Sequence, residues 1–169
     1  MKWLLTVWDN LEDFIGGALA LIATCVVLYA TFLRYLWHIS PSWAIEVVIY
    51  LIIWATFILA SRLIRDNGHI GADFVVHRFS LATRRRIEIV TTLASLAFTL
   101  AVLWLSILHV YDLYDFGARS TTALQFPSWV AHGAVPVGAA LMALRLLQRI
   151  YLLLFVPAEV TIVQEEVRL

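Results

Sequence analysis

The chain has 169 residues, 62% hydrophobic and 14% charged, with a mean hydropathy of +0.87. A soluble domain is typically about 25% charged, so the composition excludes an ordinary soluble domain and points to an integral membrane protein. The formal net charge is zero, which gives no electrostatic ground for a nucleic-acid partner, and a single cysteine excludes an intrachain disulfide or a cysteine-based metal site.

At the N-terminus, Trp3, Leu4, Val7, Trp8, Leu11, Phe14 and Ile15 recur at helical spacing. Lys2, Thr6, Asp9, Asn10, Glu12 and Asp13 fill the other face. This pattern predicts an amphipathic interfacial helix lying along the membrane surface, with its tryptophans at headgroup depth. An extended first span is the other reading.

The first span is expected over about 14–37. No charge falls between Phe14 and Leu33, which is enough to cross a hydrocarbon core of about 30 Å. Its acidic flank and its length distinguish it from a cleaved signal peptide. Cys25, in the middle of the run, reads as a small packing residue.

The second span is expected over about 43–63, opened by Ser40-Pro41 as cap and first helical residue. Two ionisable residues stand in this hairpin. Arg34 and Glu46 each lie about one turn from the connector His38-Ile39-Ser40-Pro41-Ser42, at matched depth on consecutive helices. A charge in a bilayer segment costs at least about 2.5 kcal/mol unless it finds a partner or water. Arg34 and Glu46 therefore mark a structural ion pair, or a contact with a partner chain or a lipid headgroup.

After Asn67-Gly68, the stretch Asp73-Phe74-Val75-Val76-His77-Arg78-Phe79 is expected to form a short interfacial helix. The third span is expected over about 87–111 and the fourth over about 128–155. Pro127 opens the fourth, Pro136 interrupts it, and Arg145 and Arg149 occupy its last turns. The connector between spans two and three holds Arg62, Arg65, Arg78, Arg84, Arg85 and Arg86, whereas the other two hold Arg119 alone. The positive-inside rule places that basic loop, and with four spans both termini, in the cytoplasm.

Small residues mark where helices approach closely. Gly16, Ala20 and Thr24 share a face of the first span, Ala97 and Ala101 of the third, and Gly133 with Val137 and Ala134 with Gly138 of the fourth. Packing within the four-helix bundle is the expected use. Trp37, Trp43 and Trp129 read as an aromatic belt. Trp54 and Trp104 fall inside spans, where an indole N–H needs an acceptor. Trp43 and Trp54 are the interface candidates. The reading is thus an all-α membrane protein, a single integral domain over 1–169, with four transmembrane helices and interfacial helices at the N-terminus and in the cytoplasmic loop.

The sequence holds no catalytic constellation, phosphate loop or metal-ligand cluster, so neither an enzyme nor a resident cofactor is expected. His109 and His132 fall near the same ends of spans three and four. They carry the alternative reading, a haem- or quinone-linked anchor subunit of a redox complex. The midplane residues are nearly all aliphatic or aromatic, which argues against a transport path built by this chain alone.

The ordered set Phe32-Leu33-Arg34-Tyr35, Ser42-Trp43 with Glu46, Arg65-Asp66-Asn67-Gly68-His69-Ile70 with Asp73, Thr122-Ala123-Leu124-Gln125-Phe126-Pro127-Ser128-Trp129 and Val135-Pro136-Val137-Gly138 resembles the small membrane subunit of tripartite ATP-independent periplasmic (TRAP) transporters. Many members carry two adjacent acids where this chain has Ile45-Glu46. The resemblance implies a bacterial inner-membrane scaffold subunit of a sodium-coupled transporter for organic acids. Its implied partners are a large elevator-type membrane subunit, an extracytoplasmic solute-binding protein and lipids. Arg65, His69 and Asp73 would then anchor the cytoplasmic loop.

Overall fold

The computed structural model describes residues 2–65, 81–122 and 124–155. The helices are α1 (Lys2–Trp37), α2 (Ser42–Arg65), α3 (Leu81–Asp115), α4 (Ser128–His132) and α5 (Ala134–Phe155). Four stretches are long and apolar enough to cross a membrane: Asn10–Trp37, Ser42–Ile64, Arg85–Asp115 and Ser128–Leu153. They agree with the expected spans to within a few residues. The interfacial helix expected at 73–79 lies outside the described residues.

The amphipathic N-terminal stretch is not a separate surface helix. α1 runs through it without a break, because no proline or other breaker interrupts 2–15 and the Gly16-Gly17 pair remains helical. At about 1.5 Å per residue, its 36 residues exceed the length that crosses the hydrocarbon core. The apolar face points outward and the polar face into the protein. Glu12 is buried, while Trp8, Leu11 and Phe14 are exposed. In lipid the outward surface is the apolar one, and a carboxylate goes where the protein supplies a cation.

The helices form an open row, not a closed bundle. α1 packs on α2, α2 on α5 and α5 on α3, with α4 wedged among α2, α3 and α5, and among the described residues no substantial contact joins α1 to α3. Burial follows this order. In the apolar stretch of each helix, 39% of residues are buried on the α4–α5 segment and 17% on α2, against 11% on α1 and 6% on α3.

The contacts inside the row are made by small side chains. Ala23, Ala44, Ala55, Ala131, Ala134, Ala139 and Ala143 are buried, and Ser61 is fully enclosed with its hydroxyl donating to the Ile58 carbonyl. A Cβ added at Gly16 would sit 2.5 Å from the Leu59 side chain, and one at Gly138 would sit 2.7 Å from the Phe57 carbonyl oxygen. Lipid removes any hydrophobic drive to join helices, so close backbone approach and the dispersion it allows carry the association. The expected small face of the third span has no such use: Ala97 and Ala101 are exposed, and among the described residues of α3 it is Thr92 and Thr99 that are buried. Cys25 is likewise exposed instead of packed.

The fourth span is interrupted at Gly133, three residues before Pro136. Pro136 lies in the first turn of α5, where a missing N–H breaks no helical bond. Gly133 donates its N–H to the Trp129 carbonyl at 2.9 Å, and Val137 donates to Gly133 at 3.3 Å. Before α4 the chain folds on itself through an isolated bridge between Arg119 and Pro127. Gly117, at φ 59°, turns the chain out of α3. The Ala118 N–H then returns to the Leu113 carbonyl, as in a glycine-terminated helix.

Candidate functional site: polar clamps at the two ends of the row

Glu46 stands in the first turns of α2 and is buried. The Tyr50 hydroxyl, one turn on, donates to its Oε1 at 2.5 Å. The Thr122 hydroxyl, from the loop between α3 and α4, donates to its Oε2. Thr122 is held in turn by Ser120, whose hydroxyl lies 2.7 Å away. Phe126 packs on Tyr50 with ring centroids 5.6 Å apart. The carboxylate thereby ties α2 to a loop 76 residues away in sequence.

Arg34 does not meet Glu46. It is exposed, and its Nη2 donates to the Ser40 hydroxyl at 3.0 Å. No ion pair involving it is found among the described residues. Depth matched the two residues, but helical phase directs Glu46 into the protein and Arg34 away from it. Trp43, nearby, is 38% exposed. Trp54 is half-buried and donates its indole N–H to the Val130 carbonyl at 3.1 Å, binding α2 to α4. Trp104 is 66% exposed and faces outward.

His109 and His132 are brought together, with ring centroids 5.2 Å apart in an edge-to-face arrangement. Nδ1 of His132 lies 2.8 Å from the Ser128 carbonyl, whose oxygen can only accept, so this nitrogen carries the proton. A neighbouring contact stacks Tyr114 edge-on against Trp129 at 5.9 Å. Both aromatic pairs join α3 to α4.

The opposite end holds a second clamp that the sequence reading did not assemble. Arg145 on α5 donates to Oε2 of Glu12 on α1 at 2.9 Å, both side chains being buried. The Trp8 indole donates to the other oxygen at 2.7 Å. Asp13 pairs with Arg62 at the end of α2. Glu88 pairs with Arg149 at 2.7 Å, joining α3 to α5, and Arg85 donates to the Leu153 carbonyl near the end of α5. Every helix that crosses is engaged. The signal was present as acids at the starts of spans one and three and arginines at the ends of spans two and four, all on one side of the membrane. Among the loop anchors, Arg65 ends α2, and His69 and Asp73 lie outside the described residues.

The carboxylates of both clamps thus accept from guanidinium, hydroxyl or indole donors. Among the described residues no group of three or more His, Cys, Asp or Glu side chains could hold a metal. The family model for the DctQ component of tripartite ATP-independent periplasmic transporters matches residues 23–155. The chain belongs to this family. It is 30% identical over 141 residues to the C4-dicarboxylate TRAP transporter small permease protein DctQ of Rhodobacter capsulatus, covering 80% of this chain and 60% of that one. It is 22% identical over 161 residues to the protein of the same name from Vibrio cholerae, covering 83% and 69%. It is 25% identical over 140 residues to the isethionate TRAP transporter permease protein DctMQ of Oleidesulfovibrio alaskensis, where the match covers 79% of this chain and 22% of that longer one. The matched part of the chain spans 60% of the Rhodobacter relative's length.

The DctQ family is a transporter component and not an enzyme family, and it gives no support to the haem- or quinone-linked anchor. The His109–His132 contact is an aromatic pair between helices. Family membership and four apolar helices make the chain a multi-pass membrane protein. The family match includes Arg34, Glu46, Arg145 and Arg149 and begins after Glu12 and Asp13.

Proposed function

We propose that this chain is the small subunit of a sodium-coupled TRAP transporter for organic acids, and that it widens the static frame against which a large membrane subunit moves its cargo. The observation that carries the reading is the open row. Four apolar helices lie side by side with most of their surface outward, clamped at both ends by polar contacts. A moving domain needs a stationary support, and a wide row of clamped helices resists tilting better than a compact bundle.

The relatives' names support the rest. Two are called small permease proteins for C4-dicarboxylate, and a third carries the M and Q designations in one permease protein for isethionate. Organic anions are the substrate class, a large membrane subunit is the direct partner, and an extracytoplasmic solute-binding protein delivers the cargo. The basic end of the row faces the cytoplasm of the bacterial inner membrane with both termini. Arg65, His69 and Asp73 anchor the cytoplasmic loop, and Trp43 lies at the edge of the partner contact.

Affinity-tagged chain extracted in mild detergent should bring down a large polytopic membrane protein. Proteoliposomes containing the chain alone should show no organic-acid uptake, and adding the large subunit and the binding protein should produce sodium-dependent uptake. Glu46→Ala releases the loop between α3 and α4 and should lower complex yield and uptake together. Transport by the isolated chain, or full complex yield and uptake in the Glu46→Ala variant, would refute the scaffold role.

A further inference from the structure

A cleft of about 340 Å³ runs between α1 and α2 at the end nearest residues 38–41. Arg34 and Pro41 line it near the connector, and Val27, Ala30, Ile45 and Val48 line it toward the middle of the membrane. From Arg34 to Val27 the helix rises about 10 Å, so the cleft descends from interfacial depth into the hydrocarbon layer. Its walls are apolar apart from Arg34, Thr31 and Tyr35.

Arg34 is the feature that needs an explanation. It lies three residues from the end of a membrane-crossing helix, it is exposed, and no carboxylate pairs with it among the described residues. Glu46, the acid at equal depth on the neighbouring helix, already accepts from Tyr50 and Thr122. Ser40 takes one guanidinium nitrogen at 3.0 Å and neutralises no charge. A guanidinium binds phosphate through paired N–H donors, and at this depth the anion available in every bilayer is the headgroup phosphodiester. A cleft of about 340 Å³ cannot enclose a transmembrane helix about 10–12 Å across with its side chains, whereas a single acyl chain is slender enough to follow it.

We propose that this cleft is a phospholipid site: Arg34 holds the phosphodiester of a headgroup in the leaflet on the connector side, and one acyl chain lies along Ala30, Val27, Ile45 and Val48. Arg34 supplies the charge that selects the headgroup, Ser40 orients the guanidinium, and the apolar walls distinguish a lipid from a soluble anion. The lipid becomes a fixed part of the α1–α2 hairpin. The site is built by this chain alone and does not depend on the transport role.

The test is native mass spectrometry of the full chain with its co-purifying complex, delipidated and titrated with dioleoyl phosphatidylglycerol. Wild-type protein should retain one lipid per chain. Arg34→Gln should lower its occupancy roughly tenfold, as for loss of one charge-assisted contact, and Arg34→Lys should restore part of it. Ile45→Trp places an indole in the cleft at an already exposed position and should lower occupancy with Arg34 intact. Inorganic phosphate and dihexanoyl phosphatidylglycerol should fail to displace the long-chain lipid. Equal retention by wild type and Arg34→Gln would overturn the proposal. So would displacement by inorganic phosphate, which would make Arg34 a plain anion contact. Cross-linking of the Ile45→Cys variant through that position to another polypeptide of the complex, with no lipid retained, would assign the cleft to protein instead. Failure of uptake or assembly in the complex would leave this lipid measurement unaffected, so the two readings fail separately.

Discussion

Glu12 and Arg145 form the contact on which the terminal end of the row depends. Both are buried, and each is a charge that would be costly without the other. Breaking such a pair from one side costs about 3–5 kcal/mol, whereas replacing both members by apolar residues is often neutral. Glu12→Leu or Arg145→Met alone should therefore lower unfolding stability in mixed micelles by about 3 kcal/mol or more. The double variant should regain much of that loss, giving a coupling energy between the two sites in a double-mutant cycle. At the other end, Thr122→Val removes one donor to Glu46 without changing side-chain volume greatly. Hydrogen exchange in residues 118–127 should quicken in that variant while exchange in α5 stays slow. Uniform exchange across both segments would show that the Glu46–Thr122 contact does not hold the loop.

At the scale of elements, the row is set by how closely its backbones meet. Gly138 lies against the backbone of Phe57, which cannot give way, and Gly16 lies against the flexible end of Leu59. Gly17, its neighbour, has nothing within 4 Å of an added Cβ. Overpacking costs typically about 1–3 kcal/mol. Gly138→Val should destabilise the fold at the upper end of that range and Gly16→Val less, while Gly17→Ala should leave stability unchanged or slightly raised, as expected from helix propensity. Equal effects at Gly17 and Gly138, read from thermal unfolding in detergent, would contradict the α2–α5 contact at Phe57 and Gly138. The break at Gly133 has the same logic. It lets α4 turn its Val130 carbonyl to Trp54, and Pro136 follows harmlessly in the first turn of α5.

At the scale of the molecule, the outward surface is overwhelmingly apolar. Leu21, Phe32, Val90, Phe98, Trp104 and Leu105 are all exposed, and lipid or another membrane chain must cover them. An open row places nearly all of α1 and α3 in contact with that environment, which suits the scaffold role proposed above. Reconstituted with the large subunit and the binding protein, the chain should raise uptake without contributing to substrate selectivity. Exchanging it for the Rhodobacter relative's small subunit should leave the ranking of substrates unchanged wherever assembly is kept. A changed ranking would move substrate recognition into this chain.

Much of the architecture was legible from residue order alone. Span positions follow from uninterrupted apolar length, because the hydrocarbon layer imposes a fixed minimum. The motifs around Arg34, Glu46 and Pro136 were enough to suggest the family to which the chain belongs. Which charges would meet was not legible. Arg34 and Glu46 match in depth and differ in rotation about their helices, and the partners of Glu12 and Glu46 lie 133 and 76 residues away. Hydropathy reports how far into the membrane a residue sits and carries little about which way it points. Rotation, the order of helices in the row and its open edge were decided by tertiary packing, where a few glycines and alanines determine which backbones can touch.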